Sequence, residues 1–174
     1  GGGEGGIIDK YLQMTSPVST SVQLPFLFAD DELNGIHPGM NLIQSWLDVR
    51  DPMNYGPLVR RKTETIEPKH IFYVYGVGDE SVSRRGQNAL ITSMRLKQVG
   101  ESLEELNAVA VLPEDEEPLV NNVARKATQG LKQYFPPEGV AGHDVLLGSD
   151  EVQEDILNFL EALRDTENSP VISR

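Results

Sequence analysis

Asp79 lies where a buried strand is predicted to give way to a helix. The preceding run, residues 71–75, reads IFYVY and is aromatic and β-branched, which is typical of a buried strand. The chain then turns at the glycine-rich residues 76–78, and Ser81 or Ser83 can cap the following helix. In open α/β sheets, functional groups lie just beyond the carboxyl ends of strands. Asp79 is therefore a candidate site residue.

A resemblance to a known family covers the residues around this aspartate. The stretch KHIFYVYGVGDESVSRRGQNAL, residues 69–90, resembles the seventh-strand region of an α/β-hydrolase of the bacterial lipase or esterase type. In that family the strand ends in G-x-x-D, and the aspartate is the acid of a Ser-Asp-His triad. The family's chain order places the histidine after the aspartate. His143, in a glycine-containing loop beyond one more helix and strand, fits that place, so the resemblance implies Asp79 and His143 as catalytic residues.

The chemistry implied is general-base activation of a serine. A serine hydroxyl is a poor nucleophile unless a base lies within hydrogen-bond reach and a carboxylate orients that base. Asp79 would accept a hydrogen bond from one ring nitrogen of His143, and the other nitrogen would face the serine. No G-x-S-x-G occurs in the 174 residues. The resemblance thus implies that the nucleophile and oxyanion hole belong to an upstream half, in the same gene or on a separate chain.

The predicted fold class is α/β, as the C-terminal part of an α/β-hydrolase sheet with flanking helices and a small helical cap segment. Residues 1–174 would form one partial domain, with 15–66 as a cap or lid insertion. Short helices with large apolar residues suit a cap that faces an acyl chain, although plain core packing explains Phe26, Phe28 and Trp46 equally well.

Further elements follow from periodicity. Residues 87–96 are predicted to form a packing helix, 108–112 a strand or extended edge segment, and 128–135 a strand near a sheet edge. Ser149 or Asp150 is expected to cap a last helix. The predicted buried stripe of that helix comprises Val152, Ile156, Phe159, Leu160 and Leu163.

Composition narrows the choice of partners. The net charge is −12, which would repel a phosphate backbone, and no nucleic acid is expected as a partner. Cysteine is absent, which excludes disulfides and thiolate sites, and no apolar run is long enough for a transmembrane segment. The expected partner is an ester or lipid-like small molecule. The sequence does not indicate the cellular compartment, and the resemblance is compatible with a secreted or cell-envelope parent protein.

Neither a metal nor a cofactor is predicted. The acidic residues 114–117 could bind calcium, but they lack EF-hand spacing and its glycine, so a solvated loop is the favoured interpretation. Gly1, Gly3 and Gly6 fit G-x-G-x-x-G, the pattern of a dinucleotide loop, without the strand that should precede it. The family resemblance instead makes this a segment following the sixth strand, with an amphipathic helix after it.

Simpler explanations exist for each candidate. Asp79 could be a turn aspartate that caps the next helix, and His143 a plain loop histidine. His37 precedes a proline in a loop, and His70 opens the strand at the end away from Asp79, so neither is given a role. The first alternative function is a non-catalytic interaction module on a hydrolase-like fold, and the second is a Rossmann-like dinucleotide-binding domain. A half-sheet would expose an unpaired edge, and we expect self-association or dependence on a partner chain.

Overall fold

The computed structural model describes residues 38–164 and 169–174. The predictions for Gly1, Gly3, Gly6, Phe26, Phe28 and His37 lie outside these residues. The helices are α1 (Pro38–Leu47), α2 (Arg84–Met94), α3 (Val145–Gly148) and α4 (Asp150–Arg164). The strands are β1 (Ile71–Gly76), β2 (Lys97–Val99) and β3 (Gln129–Tyr134). Short 3₁₀ turns cover Asp48–Arg50, Pro52–Asn54, Gly56–Arg60, Glu114–Glu116 and Gly142–Asp144.

The described strands form one parallel sheet in the order β1-β3-β2. Ile71 pairs with Gln129 at one end of the β1–β3 ladder, and Gly76 pairs with Tyr134 at the other. Helices on both faces of this sheet give a mixed α/β architecture, as predicted at that level. Since the strands are parallel, their carboxyl ends share one edge of the sheet, and Asp79 follows β1 at that edge.

The prediction of β3 as a strand near a sheet edge is wrong for the described sheet, where β3 is central. Polar residues in its sequence suggested exposure, but they are buried and hydrogen bonded. The Gln129 amide donates to the carbonyls of Val59 (3.1 Å) and Lys69 (2.7 Å). The Gln133 amide donates to Gln98 Oε1 at 3.0 Å. The amide nitrogens of both glutamines thus have internal partners, although Gln129 Oε1 has none, and these bonds lower the cost of burying polar residues in a central strand.

Alternate residues of β1 pack on opposite faces of the sheet, as the period of a strand requires. Tyr75 joins Ile91, Met94, Leu96, Leu106 and Leu131 in the core beneath α2. Phe72 contacts the other face, where its ring centroid is 5.5 Å from that of Phe159 on α4. The β1 strand is therefore covered on both faces, which explains its continuous apolar run.

The α2 helix follows the predicted pattern. Ser83 is its N-cap and accepts a hydrogen bond from Gly86 N at 3.1 Å, so of the two serines proposed as caps the structure selects Ser83. Ile91 and Met94 are buried against the sheet. The helix ends at Met94, and the left-handed backbone of Arg95 (φ 52°) lets the N–H of Leu96 donate to the Ile91 carbonyl at 3.2 Å.

The buried stripe predicted for α4 is only partly correct. Val152 and Phe159 are buried, and Ile156 is partly buried between them. Leu160 and Leu163 are instead 50% and 42% exposed. Leu160 lies roughly 80° around the helix from Val152 and so points away from the sheet, while Leu163 belongs to the last turn.

The described part of the predicted cap, residues 38–66, consists of α1 and three 3₁₀ turns. Trp46 is 76% exposed, so the core-packing interpretation of that residue is wrong. Arg60 donates to the carbonyls of Met94 and Arg95 at the carboxyl end of α2. The 3₁₀ turn Gly56–Arg60 therefore lies at the sheet edge opposite Asp79. A covering role for residues 15–66 stays a prediction.

Other segments flank the sheet. Residues 109–112 form an extended segment with a single parallel bridge between Val111 and Gln98 of β2, in keeping with the predicted edge segment, whereas Ala108 lies in a turn with a left-handed backbone (φ 60°). Residues 169–174 also flank the sheet, and Ile172 forms an antiparallel bridge with Leu119. None of the helices within residues 38–164 and 169–174 has the length and apolarity to cross a bilayer.

Candidate functional site

The Asp79 carboxylate is held by the turn that follows β1. Gly78 adopts a left-handed conformation (φ 74°), which suits glycine and reverses the chain after the strand. One carboxylate oxygen, Oδ1, then accepts hydrogen bonds from the backbone N–H of Ser81 (2.8 Å) and of Val82 (3.1 Å). This is the local aspartate turn that the simpler explanation foresaw. It fixes the carboxylate through one oxygen and leaves the other, Oδ2, for side chains.

Two side chains share Asp79 Oδ2. The amide nitrogen of Gln87, on the second turn of α2, donates to it at 3.1 Å. The same nitrogen donates to the Val82 carbonyl at 3.2 Å. His143 Nδ1 lies 3.3 Å from Oδ2. The structure thus brings together the aspartate and the histidine that the sequence singled out, although 64 positions separate them along the chain.

The pair is asymmetric in its contact with solvent. The Asp79 side chain is 9% exposed, whereas that of His143 is 49% exposed. An ionised carboxylate only accepts hydrogen bonds, so contact with Oδ2 favours the ring proton on Nδ1. The neutral imidazole then presents Nε2 as an unprotonated base on its other side. This is the arrangement that general-base chemistry needs.

Two glycines allow the approach of the loop that carries His143. A Cβ on Gly142 would lie 2.5 Å from Val77 O and 2.6 Å from Asp79 N. A Cβ on Gly76 would lie 2.0 Å from Gly142 O. Both obstacles are backbone atoms, which side-chain rearrangement does not relieve. The loop therefore reaches the end of β1 through direct backbone contact, and this contact sets the position of His143.

The surroundings of the aspartate disfavour ionisation of the neighbouring phenol of Tyr73. Burial, and after it the negative charge of Asp79, raises the pKa of Tyr73 to about 12. This phenol therefore stays protonated at neutral pH and does not compete as a base. Glu80 and Asp144, the acidic neighbours of the pair in sequence, are both exposed.

The remaining candidates have structural roles. His70 Nδ1 accepts a hydrogen bond from Thr128 N at 3.1 Å, and burial lowers the pKa of its ring. His70 thus joins the starts of β1 and β3. Glu114 and Glu117 pair with Arg174, and Glu117 also accepts from Gly100 N at 3.1 Å. Within the described residues no group of three or more His, Cys, Asp and Glu side chains could hold a metal ion.

Sequence reasoning missed Gln87 and Gly142. The helical spacing of residues 87–96 predicts only packing for Gln87, although Ser83 as N-cap places it one turn into the helix on the side of the preceding loop. That spacing is a usable signal for contact with Asp79. The sequence around Gly142 predicts only a loop. Its contact with residues 77–79 depends on the pairing of β1 with β3, which the local sequence does not show.

Comparison with known proteins yields no relative for this arrangement. No protein-family model matches the chain, and no curated protein or solved structure matches it at a significant level.

Proposed function

We propose that this chain supplies the acid and the base of a Ser-Asp-His triad in a carboxylic ester hydrolase of the lipase or esterase type. Asp79 is the acid and His143 is the base. The single observation that supports this most is the contact of His143 Nδ1 with Asp79 Oδ2 at 3.3 Å, at the carboxyl edge of a parallel sheet. Distances of this size are common between catalytic partners in the absence of substrate.

The proposed reaction begins when His143 Nε2 takes the proton of a serine hydroxyl as the oxygen attacks an ester carbonyl. Asp79 stabilises the imidazolium formed, and His143 then gives the proton to the leaving alkoxide. Water repeats the sequence on the acyl-enzyme, which releases the acid and restores the serine. The serine and the oxyanion hole would come from an upstream segment or a partner chain, because the 174 residues contain no G-x-S-x-G.

Exposed apolar side chains support an apolar acyl group as part of the substrate. Leu147, in the helix that directly follows His143, is 78% exposed, and Leu146 beside it is 45% exposed. Apolar surface directly after His143 suits a lipid-like ester better than a charged one.

Hydrolysis of p-nitrophenyl esters by the parent protein, or by this chain mixed with the upstream half, tests the proposal. Asp79→Asn should lower turnover by about 10⁴, because its amide would favour the wrong tautomer of the histidine. His143→Ala removes the base and should cost a similar factor. Asp144→Asn is the matched control: it removes an exposed carboxylate next to His143 and should leave turnover unchanged.

Hydrolysis that survives both Asp79→Asn and His143→Ala would refute the assignment. The absence of G-x-S-x-G in these residues also favours a second candidate, a non-catalytic interaction module on a hydrolase-like fold. A parent protein with no nucleophile elbow upstream and no esterase activity would support that module instead.

A further inference from the structure

Gln87 holds the second oxygen of the Asp79 carboxylate. Its amide nitrogen lies 3.1 Å from Asp79 Oδ2 and 3.2 Å from the Val82 carbonyl, so one nitrogen bonds both to the carboxylate and to the turn that carries it. The Gln87 side chain is buried and anchored on α2. It therefore remains near the carboxylate whether or not His143 is in place.

The carboxylate has about four acceptor positions, two on each oxygen. Ser81 N and Val82 N approach Oδ1, whereas Gln87 and His143 approach Oδ2. The backbone donors prevent the two oxygens from exchanging places. Gln87 then occupies one side of Oδ2, so that a single acceptor position remains for the imidazole.

From this geometry we infer that Gln87 is a positioning residue: it aims Asp79 Oδ2 at His143 Nδ1 and thereby selects the ring tautomer that leaves Nε2 as the base. The inference rests on the proposed function, because the tautomer matters to catalysis only if His143 acts as a base. Gln87 itself does not contact the imidazole or a substrate. Its effect is transmitted through Asp79.

The test is the tautomer of His143 in this chain. It is measured from ¹H–¹⁵N correlation spectra of the imidazole rings, at a pH high enough for the rings to be neutral. There are three histidines, and the spectrum of His143→Gln identifies the signal of His143. The wild type should show the Nδ1–H form. In Gln87→Met, a variant of similar size without the donors, the ratio of Nδ1–H to Nε2–H should fall roughly tenfold, as expected for one hydrogen bond to a charged group.

Gln129→Met is the matched control, because Gln129 is also a buried glutamine whose amide donates to two carbonyls, but at the opposite end of the sheet. It should destabilise the fold and leave the His143 tautomer unchanged. If Gln87→Met does not fold, Gln87→Leu also removes both donors in a smaller apolar side chain. The same fall in the ratio of Nδ1–H to Nε2–H is expected in that variant.

In the parent enzyme Gln87→Met should lower kcat roughly tenfold with KM unchanged, since Gln87 does not contact substrate. An unchanged His143 tautomer in both Gln87 variants would overturn the inference. A tautomer that depends on Gln87 in a parent protein without esterase activity would uphold the positioning role and refute the proposed reaction. The experiments therefore distinguish failure of the positioning role of Gln87 from failure of the proposed ester hydrolysis.

Discussion

At the scale of single residues, the Asp79–His143 contact depends on atoms that a sequence motif does not include. The glycine before His143 matters because its missing side chain lets the loop touch the backbone of residues 77–79. The glutamine eight positions after Asp79 matters because it donates to the same oxygen as the imidazole. A motif directed at the aspartate and histidine includes this pair and omits the residues that orient it.

Gly142→Ala should separate the pair. The new Cβ would lie 2.5 Å from Val77 O and 2.6 Å from Asp79 N, so the loop must move outward. We expect a loss of about 1–3 kcal/mol in the free energy of unfolding, measured with urea. A shift of about 1 Å should lower esterase turnover of the parent about 10²-fold.

Gly148→Ala serves as the control for this substitution. Its Cβ would meet the side chain of Val140 at 2.6 Å rather than backbone, so the strain should be relieved locally. A smaller loss of stability with full activity is the expected outcome. If Gly142→Ala retained both stability and turnover, the backbone contact would not be what positions His143.

At the scale of elements, α1 carries an apolar stripe that faces solvent. Leu42 and Trp46 are one helical turn apart, and Val49 in the following 3₁₀ turn continues the line; all three are at least 69% exposed. Such a stripe is characteristic of a surface that contacts a lipid or a partner. If the substrate is an ester or a lipid-like molecule, as proposed, this apolar stripe would contact its acyl chains.

Trp46 is the single tryptophan of the chain, so its fluorescence reports on this stripe alone. We expect its emission to shift to the blue when uncharged phosphatidylcholine vesicles are added. Leu42→Gln should weaken partitioning roughly tenfold, because a buried leucine contributes about 1.5–3 kcal/mol. Leu157→Gln, which alters an exposed leucine on α4, should have no effect. Emission that does not respond to vesicles or micelles would argue against a lipid-facing α1.

At the scale of the whole molecule, β1 and β2 are the edge strands of the described sheet, and an isolated bridge from Gln98 to Val111 covers the outer side of β2 but nothing described pairs with the outer side of β1. The N–H groups of Ile71 and Val77 donate toward the β3 side, to Thr128 and Tyr134 carbonyls. Alternation along a parallel ladder then directs the N–H of Tyr73 to β3 and that of Val74 to the outer edge. In the proposed hydrolase, a strand of the upstream half would pair there.

The chain alone should therefore self-associate through β1, as measured by light scattering coupled to size-exclusion chromatography. Val74→Pro removes an outward N–H and should reduce association while the circular dichroism spectrum is retained. Tyr73→Pro removes a donor to β3 and should destabilise the sheet itself. A stable, monodisperse wild-type monomer would count against the half-domain proposal.

The sequence by itself determined the strand that ends before Asp79 and a serine cap for the helix that follows it, because both follow from local rules: an apolar run, a glycine turn and a capping hydroxyl. The pairing of Asp79 with His143 was expected only from the family resemblance, and the structure selects Ser83 over Ser81 as the cap. Tertiary structure decided that β3 is central, that Trp46 and Leu160 are exposed, and that Gln87 and Gly142 support the pair. Burial and hydrogen-bond partnership depend on which distant segments pack together, and spacing along the chain does not specify that packing.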